Sequence, residues 1–87
     1  MVEPRLGDIV HYVLPSGPSM GEHRPAIVVR EWSENTVNLQ VFIDGSNDGY
    51  PYTRPCIWAT SVRRSDLMEN GTWHPIEEVA PEELPEE

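Results

Sequence analysis

Arg24 is the residue with the clearest potential for chemistry in this sequence. It follows His23 and precedes Pro25 in "GEHRPAIVVR", where a glycine-containing loop gives way to an apolar run. Pro25 cannot donate a hydrogen bond to a sheet ladder, so it belongs at the first position of a strand or on an edge. Arg24 is therefore predicted at a sheet rim, where a guanidinium binds phosphate or carboxylate through two hydrogen bonds. The alternative is a strand-end ion pair with Asp8 or Glu22.

Aromatic residues form the second group of candidates. The twelve-residue segment "DGSNDGYPYTRP" consists mostly of turn formers, and its length is typical of a functional loop. Its tyrosines and arginine, together with Trp32 and Arg24, are the mixture of rings and guanidinium groups that stacks bases or anchors a peptide. We therefore predict a surface groove whose binding residues are Arg24, Trp32, Tyr50, Tyr52 and Arg54.

The three histidines and the one cysteine of the chain are ligand types for zinc. No pair of them has the spacing of a zinc finger, and His11 is interpreted as an outward-facing strand residue. We therefore predict no metal site, and no cofactor is expected. A single cysteine also excludes an internal disulfide and favours an intracellular protein.

Five runs of strand-forming residues must position these side chains. They are "GDIVHYVL", "RPAIVVREW", "VNLQVFI", "CIWATSV" and "TWHPI", each bounded by turn or loop formers. Residues 24–31 are predicted to pair with residues 36–43 through a hairpin at residues 33–35. The alternation in the third run predicts a buried set that consists of Val37, Leu39 and Val41.

Bulky residues outside this hairpin complete the predicted core. Trp58 and Trp73 are expected to fill it, because a small barrel needs large side chains to close it. Cys56 is interpreted as a small core residue. The segment "RRSDLMEN" is predicted to hold one helical or 3-10 turn, which Ser65 could cap and Gly71 could end.

These elements predict an all-β fold, a small SH3-like, partly open five-stranded antiparallel barrel. At 87 residues the chain is expected to be one domain, which we place at residues 1–78. Residues 79–87, rich in glutamate and proline, are predicted to be a disordered acidic tail. We expect neither a signal peptide nor a membrane span of about 20 apolar residues, and therefore a cytoplasmic protein without membrane contact.

The charge of the chain bears on its partners. The formal net charge is −9, all six cationic residues are arginines, and six of the fifteen acidic residues lie in the last eleven positions. Phosphate contacts require an excess of lysine and arginine, so RNA is disfavoured as a partner.

The segments "GDIV" and "HRPAIVV", with the loop between them, resemble the start of the MazF/PemK family of toxin endoribonucleases, which have an SH3-like barrel. The similarity continues through "ENTVNLQVFIDGS" and covers residues 7 to 46. It implies that Arg24 corresponds to the catalytic arginine of the family and Ser46 to its hydroxyl residue, with His23 close enough to assist. The segment "IDGSND" departs from the family pattern, since it places Asp44 and Asp48 where a phosphate would lie.

The whole chain also resembles a group of short phage and actinobacterial proteins of unknown function. These begin with a "GD-V-HYV" pattern and end with "GTWH" and a proline, here "GTWHP" at residues 71–75. This resemblance implies a phage or prophage origin, and hence the host cytoplasm, but implies no activity.

Three functions are consistent with these observations. The first, which we favour, is a non-enzymatic accessory binding module that engages a host protein or a small anionic ligand. The second is a MazF-like endoribonuclease, active or degenerate, and the third is a virion or assembly component. In the third case a homodimer or larger symmetric oligomer would form through an exposed apolar face.

Overall fold

A computed structural model describes residues 4–76, which form an all-β fold. The strands are β1 (Ile9–Val13), β2 (His23–Glu31), β3 (Thr36–Phe42), β4 (Cys56–Arg63) and β5 (Trp73–Pro75), and a 3-10 turn spans Gly45–Asp48. All five predicted strands are thus present. The acidic tail predicted at residues 79–87 lies outside the described residues. Within the part of the chain that the structure describes, no helix is long and apolar enough to cross a membrane.

The strands form one antiparallel sheet in the order β4-β3-β2-β1-β5. The first four strands follow one another as a meander, and the last strand returns to pair with the first. This is the strand order of an SH3-like barrel, and the curved sheet is not closed. A parallel bridge between Arg64 and Trp73 brings the end of β4 towards β5.

The inner face of the sheet carries the hydrophobic core. The hairpin between β2 and β3 pairs Ala26 with Val41 and Val28 with Leu39, as the alternation in the third run predicted. The three side chains that were predicted to be buried are fully buried. The remaining buried core residues on the sheet and its margins are Val10, Tyr12, Leu14, Ala26, Val28, Val62 and Trp73.

The prediction that Trp58 fills the core is wrong. Trp73 is 1% exposed, as expected, but Trp58 is 61% exposed. Trp58 pairs with Gln40, and this register places it on the outer face of β4, because successive side chains alternate between the two faces of a strand. Cys56, on the same outer face, is half-buried rather than in the core, and its Sγ donates to Oε1 of Gln40 at 3.4 Å.

Irregular pairing buries one polar residue of the outer face. The register between β3 and β4 shifts between Val37 and Leu39, so that Asn38 lies opposite a bulge at residues 60–61 of β4. Asn38 is buried, and Ser61, across from it on β4, has a φ of 54° in the left-handed region. The strand alternation therefore fails at this position.

Between β4 and β5 the chain forms turns without a helix. The backbone N–H of Met68 donates to the carbonyl oxygen of Ser65 at 3.1 Å, and the N–H of Leu67 donates to Ser65 Oγ at 3.3 Å. The helical or 3-10 turn predicted for "RRSDLMEN" is thus replaced by hydrogen-bonded turns. Within residues 4–76, the 3-10 turn lies instead at Gly45–Asp48, in the long loop after β3.

Candidate functional site

Arg24 lies at the start of β2 and is held by an ion pair. Its Nε donates to Oδ2 of Asp48 at 2.8 Å and its Nη2 donates to Oδ1 at 2.6 Å, which is a bidentate arrangement. Nη2 also donates to Glu22 Oε1 at 3.1 Å, and Nη1 donates to the carbonyl oxygen of His23 at 2.9 Å. Of the two ion pairs that we considered for Arg24, the one with Glu22 is present. Asp48, rather than Asp8, is the second partner.

Burial strengthens the pair between Arg24 and Asp48. The Asp48 side chain is 0% exposed and the Arg24 side chain 16% exposed. The hydrogen bonds from Arg24 hold the pKa of Asp48 well below its usual range, although burial acts in the opposite direction. The hydrogen bonds to Asp48 raise the pKa of Arg24 in turn. The guanidinium is therefore charged, but its charge is matched by a buried carboxylate.

Of the two residues that the ribonuclease resemblance groups with Arg24, His23 is directed away from it. Ser46 lies in the 3-10 turn, two residues before Asp48, the ion-pair partner of Arg24. The ring of His23 packs against His11 and His74 on the outer face of the sheet. Arg24 follows His23 directly and belongs to the opposite face. The His23 ring is thus directed away from the guanidinium.

The loop at residues 14–22 packs against the 3-10 turn beside Arg24. Ser19 is buried, and its Oγ donates to the carbonyl oxygen of Asn47 at 2.8 Å. A Cβ on Gly17 would lie 3.1 Å from the carbonyl oxygen of Asp48, and a Cβ on Gly49 would lie 3.0 Å from Cδ of Pro18. Both glycines also have positive φ. This close backbone packing covers the ion pair from one side.

The predicted binding residues fall into two groups. Tyr50 is half-buried next to Tyr12, whose pKa is raised by burial and by the proximity of Tyr50. Tyr52 is almost fully exposed, and Arg54 is also exposed, on the same loop after the 3-10 turn. This loop follows Asp48, so these three residues share the Arg24 end of the sheet. Their role in binding stays a prediction.

Trp32 lies at the other end of β2. Eight residues separate it from Arg24 along the chain, which corresponds to about 25 Å in an extended strand. Its Nε1 donates to Oδ1 of the buried Asn38 at 2.9 Å, and the guanidinium carbon of Arg30 lies 4.1 Å from the ring centroid. Trp32 is half-exposed in a fixed orientation. The structure therefore does not unite Trp32 and Arg24 in one groove.

A row of apolar side chains crosses the outer face of the sheet. Ile9 pairs with Ile27, Ile27 with Gln40, and Gln40 with Trp58, so these four residues follow one line across four strands. Phe42 lies two residues beyond Gln40 on the same face. Ile9 is 54% exposed and Phe42 is 44% exposed. We call Ile9, Ile27, Phe42 and Trp58 the outer apolar face.

Trp32 extends the outer apolar face along the strands. Asn38 Oδ1 accepts hydrogen bonds from both Trp32 Nε1 and Thr60 Oγ1, the latter at 3.0 Å. Thr60 lies two residues after Trp58 on β4, so Trp32 is joined through Asn38 to the strand that carries Trp58. The residues that form this surface were missed as a group, because the sequence placed Trp58 in the core.

The three histidines meet on the outer face at the other side of β1. His11 pairs directly with His74 across β1 and β5, and His23 pairs with Val13, the second residue after His11. The ring centroids are 4.7 Å apart for His23 and His74, 5.6 Å for His11 and His74, and 6.1 Å for His11 and His23. One ring nitrogen from each histidine lies within 4.8 Å of the other two, a spacing from which a metal ion could be held. The sequence did not predict this cluster.

Comparison with known proteins gives no match for this chain among family models, curated proteins or solved structures.

Proposed function

We propose that the protein is a non-enzymatic binding module that engages another protein through the outer apolar face of its sheet. The observation that carries this proposal is the cross-strand row from Ile9 to Trp58. An antiparallel sheet with one face on the core normally presents polar side chains on the other face. Here that face presents isoleucine, phenylalanine and tryptophan. Exposed apolar surface of this kind is typical of interaction sites, and tryptophan is enriched among the residues that dominate binding energy.

The state of Arg24 supports a binding role over cleavage of RNA. Stabilisation of a phosphorane requires a cation whose charge is directed at the reacting phosphate. The guanidinium of Arg24 is instead hydrogen bonded to two carboxylates, one of them fully buried. A small anionic ligand would likewise have to compete with Asp48 and Glu22 for the guanidinium of Arg24. We therefore favour the protein partner over the anion and over the endoribonuclease.

Self-association is the second candidate, because the same outer apolar face would also pack against a second copy. The net charge of −9 opposes the close approach of two identical chains. It favours instead a partner that presents an apolar surface bordered by basic residues. We accordingly expect a monomer in size-exclusion chromatography with light scattering at moderate ionic strength. A dimer in the parent that is absent in Trp58→Ser would support the assembly function instead.

The test compares Trp58→Ser with a matched control, Leu67→Ser. Leu67 is 84% exposed and lies in the turns after β4, away from the outer apolar face. Both substitutions remove one exposed apolar side chain, so each should change the free energy of unfolding by less than about 0.5 kcal/mol. The parent and the two variants, each immobilised in equal amount, are exposed to host lysate, and the recovered protein is then purified for direct titration.

The expected result is that the purified partner binds the parent and Leu67→Ser equally and binds Trp58→Ser at least about 30-fold more weakly, as for loss of a central anchor. Equal affinity for all three proteins would contradict the proposal. So would specific RNA cleavage by the parent that is lost in Arg24→Ala while circular dichroism shows that this variant is still folded, since that result would establish the endoribonuclease.

A further inference from the structure

We propose that His11, His23 and His74 form a binding site for a divalent transition-metal ion of the zinc type. The proposal is independent of the partner-binding function, since it concerns other side chains of the outer face. It corrects the interpretation of the sequence, which treated the histidines as unrelated because their positions in the chain lack any metal-finger spacing.

The strand register is the first observation. The chain has three histidines, and the fold brings all of them together from three different strands. His11 and His74 are direct cross-strand partners, whose Cβ atoms lie about 5 Å apart in an antiparallel pair. His23 occupies the diagonal position on the other side of β1, next to the partner of His11. The arrangement is thus determined by the backbone pairing and not by loop conformation.

The distances fit a shared ion after a small closure. In a tetrahedral zinc site, bonds of about 2.0–2.1 Å place the nitrogens about 3.3 Å apart. The candidate nitrogens here lie within 4.8 Å of one another. A closure of about 1–1.5 Å is within the reach of side-chain rotation without movement of the strands. The rings meet at interplanar angles between 61° and 90°, so none of them is stacked flat on another.

Burial gives the site an inner and an outer side. His74 is 2% exposed and its Nδ1 is buried, whereas His11 and His23 are half-buried. An ion between the three rings would lie over His74 and keep its fourth position towards solvent. Three imidazole ligands with one open position are typical of zinc sites that bind water or an exogenous ligand, and imidazole suits zinc, copper and nickel alike.

The ion would also link the short strand β5 to two longer strands of the sheet. β5 has three residues and pairs with β1 within the described sheet. A metal bound by the three histidines connects β5, β1 and β2. Because a preformed site does not exist in the unfolded chain, metal binding would raise the stability of the fold. Zinc binding at the cluster would thus hold β5 against the rest of the sheet.

The experiment uses the full chain without a histidine tag, after removal of metal by a chelator. Calorimetric titration with zinc chloride is expected to give one ion per chain with a Kd of about 1 µM or tighter. Cobalt(II) is expected to give the visible absorption of a four-coordinate ion, which zinc then displaces. Saturating zinc is expected to raise the Tm by about 10 °C.

Three single variants, His11→Gln, His23→Gln and His74→Gln, are each expected to weaken zinc binding by at least about 100-fold. Cys56→Ser is the matched control and should bind as the parent does, because Cys56 lies on β4, which β3 separates from β2, the nearest strand that carries a histidine of the cluster. His11 and His23 are half-buried, so circular dichroism of their metal-free variants should match the parent even if His74→Gln is destabilised. A variant that carries all three substitutions measures how much zinc the acidic residues of the chain bind without the histidines.

A parent Kd weaker than about 100 µM, or zinc binding that survives in the triple variant at the parent affinity, would overturn the proposal. An unchanged Tm on addition of zinc, together with an octahedral cobalt spectrum, would do the same. In that case the cluster is a packing arrangement of three rings.

Discussion

The buried carboxylate of Asp48 accepts both hydrogen bonds of a bidentate pair from Arg24, which ties the start of β2 to the 3-10 turn that follows β3. The same carboxylate accepts a hydrogen bond from the backbone N–H of Asp44 at 2.7 Å. Asp48 therefore has a structural role, as the group that orders the loop after β3 around an arginine. Asp48, which the sequence placed where a phosphate would lie, is instead the group that neutralises that arginine.

Arg24→Ala is expected to destabilise the fold by about 3–5 kcal/mol, because it leaves the Asp48 carboxylate buried without its cation. Urea unfolding monitored by circular dichroism measures the change in the free energy of unfolding. The matched control is Glu22→Ala, which removes the exposed partner of the same guanidinium and should cost at most about 1 kcal/mol. Equal effects of the two substitutions would show that burial of Asp48 adds nothing to the pair.

The pKa of Asp48 predicts a loss of stability in acid. Its pKa is lowered in the folded state by Arg24, so the carboxylate stabilises the fold fully above the unfolded pKa of about 4. As the pH falls below about 4 towards the folded pKa, the unfolded chain takes up the proton first and this stabilisation is lost. Thermal unfolding of the parent and of Asp48→Asn should therefore differ most near neutral pH and converge in acid. A difference in Tm that stays constant down to about pH 2.5 would contradict the assignment.

Leu39→Ala is expected to cost about 2–4 kcal/mol, because Leu39 is fully buried at the centre of β3 and its loss leaves a cavity. Leu67→Ala is the control, since Leu67 is exposed in the turns after β4 and should change stability by less than about 0.5 kcal/mol. Denaturant unfolding measures both. A decrease of less than about 1 kcal/mol in the free energy of unfolding of Leu39→Ala would contradict the burial of Leu39 in the core.

The hairpin and the β3 core were predictable because local pattern and burial agree there. Val37, Leu39 and Val41 alternate with more polar residues, and the turn residues between β2 and β3 fix the partner strand. Trp58 was not predictable from alternation, because its run offers two faces of similar hydrophobicity. The bulge opposite Asn38 and the pairing with Gln40 decide which face of β4 is inside, and both are tertiary features.

In the candidate site, too, the position of single residues was predictable from local sequence, whereas their long-range neighbours were not. Arg24 was correctly expected at a strand start with a carboxylate partner, but Asp48 lies 24 residues away and becomes a neighbour only through the 3-10 turn. The histidine cluster requires that β5 pair with β1 in a register that places His74 opposite His11. His11 and His74 lay on predicted strands, whereas His23 was left outside the second strand, which was predicted to begin at residue 24. The order of the strands in the sheet, which brings the three together, was not predicted.

The side-chain oxygen of Asn38 accepts hydrogen bonds from three different residues. Oδ1 accepts from Trp32 Nε1 at 2.9 Å, from Thr60 Oγ1 at 3.0 Å and from the backbone N–H of Ser61 at 2.7 Å. Asn38→Ala removes the acceptor and leaves the Ser61 N–H in the bulge without it, which is expected to cost about 1–3 kcal/mol. It should also release the Trp32 ring, which Arg30 covers on one side.

Hydrogen exchange of the indole N–H groups by NMR tests this arrangement. In the parent, the indole N–H of Trp32 should exchange more slowly than that of the exposed Trp58, because the former is hydrogen bonded to a buried acceptor. Asn38→Ala should bring the two rates together. Thr60→Val is the control, because it removes one donor to Asn38 and leaves the bonds from Trp32 and Ser61 in place. Fast exchange at Trp32 in the parent would show that the ring is not fixed by Asn38, and Trp32 could then not serve as a pre-oriented part of the binding surface.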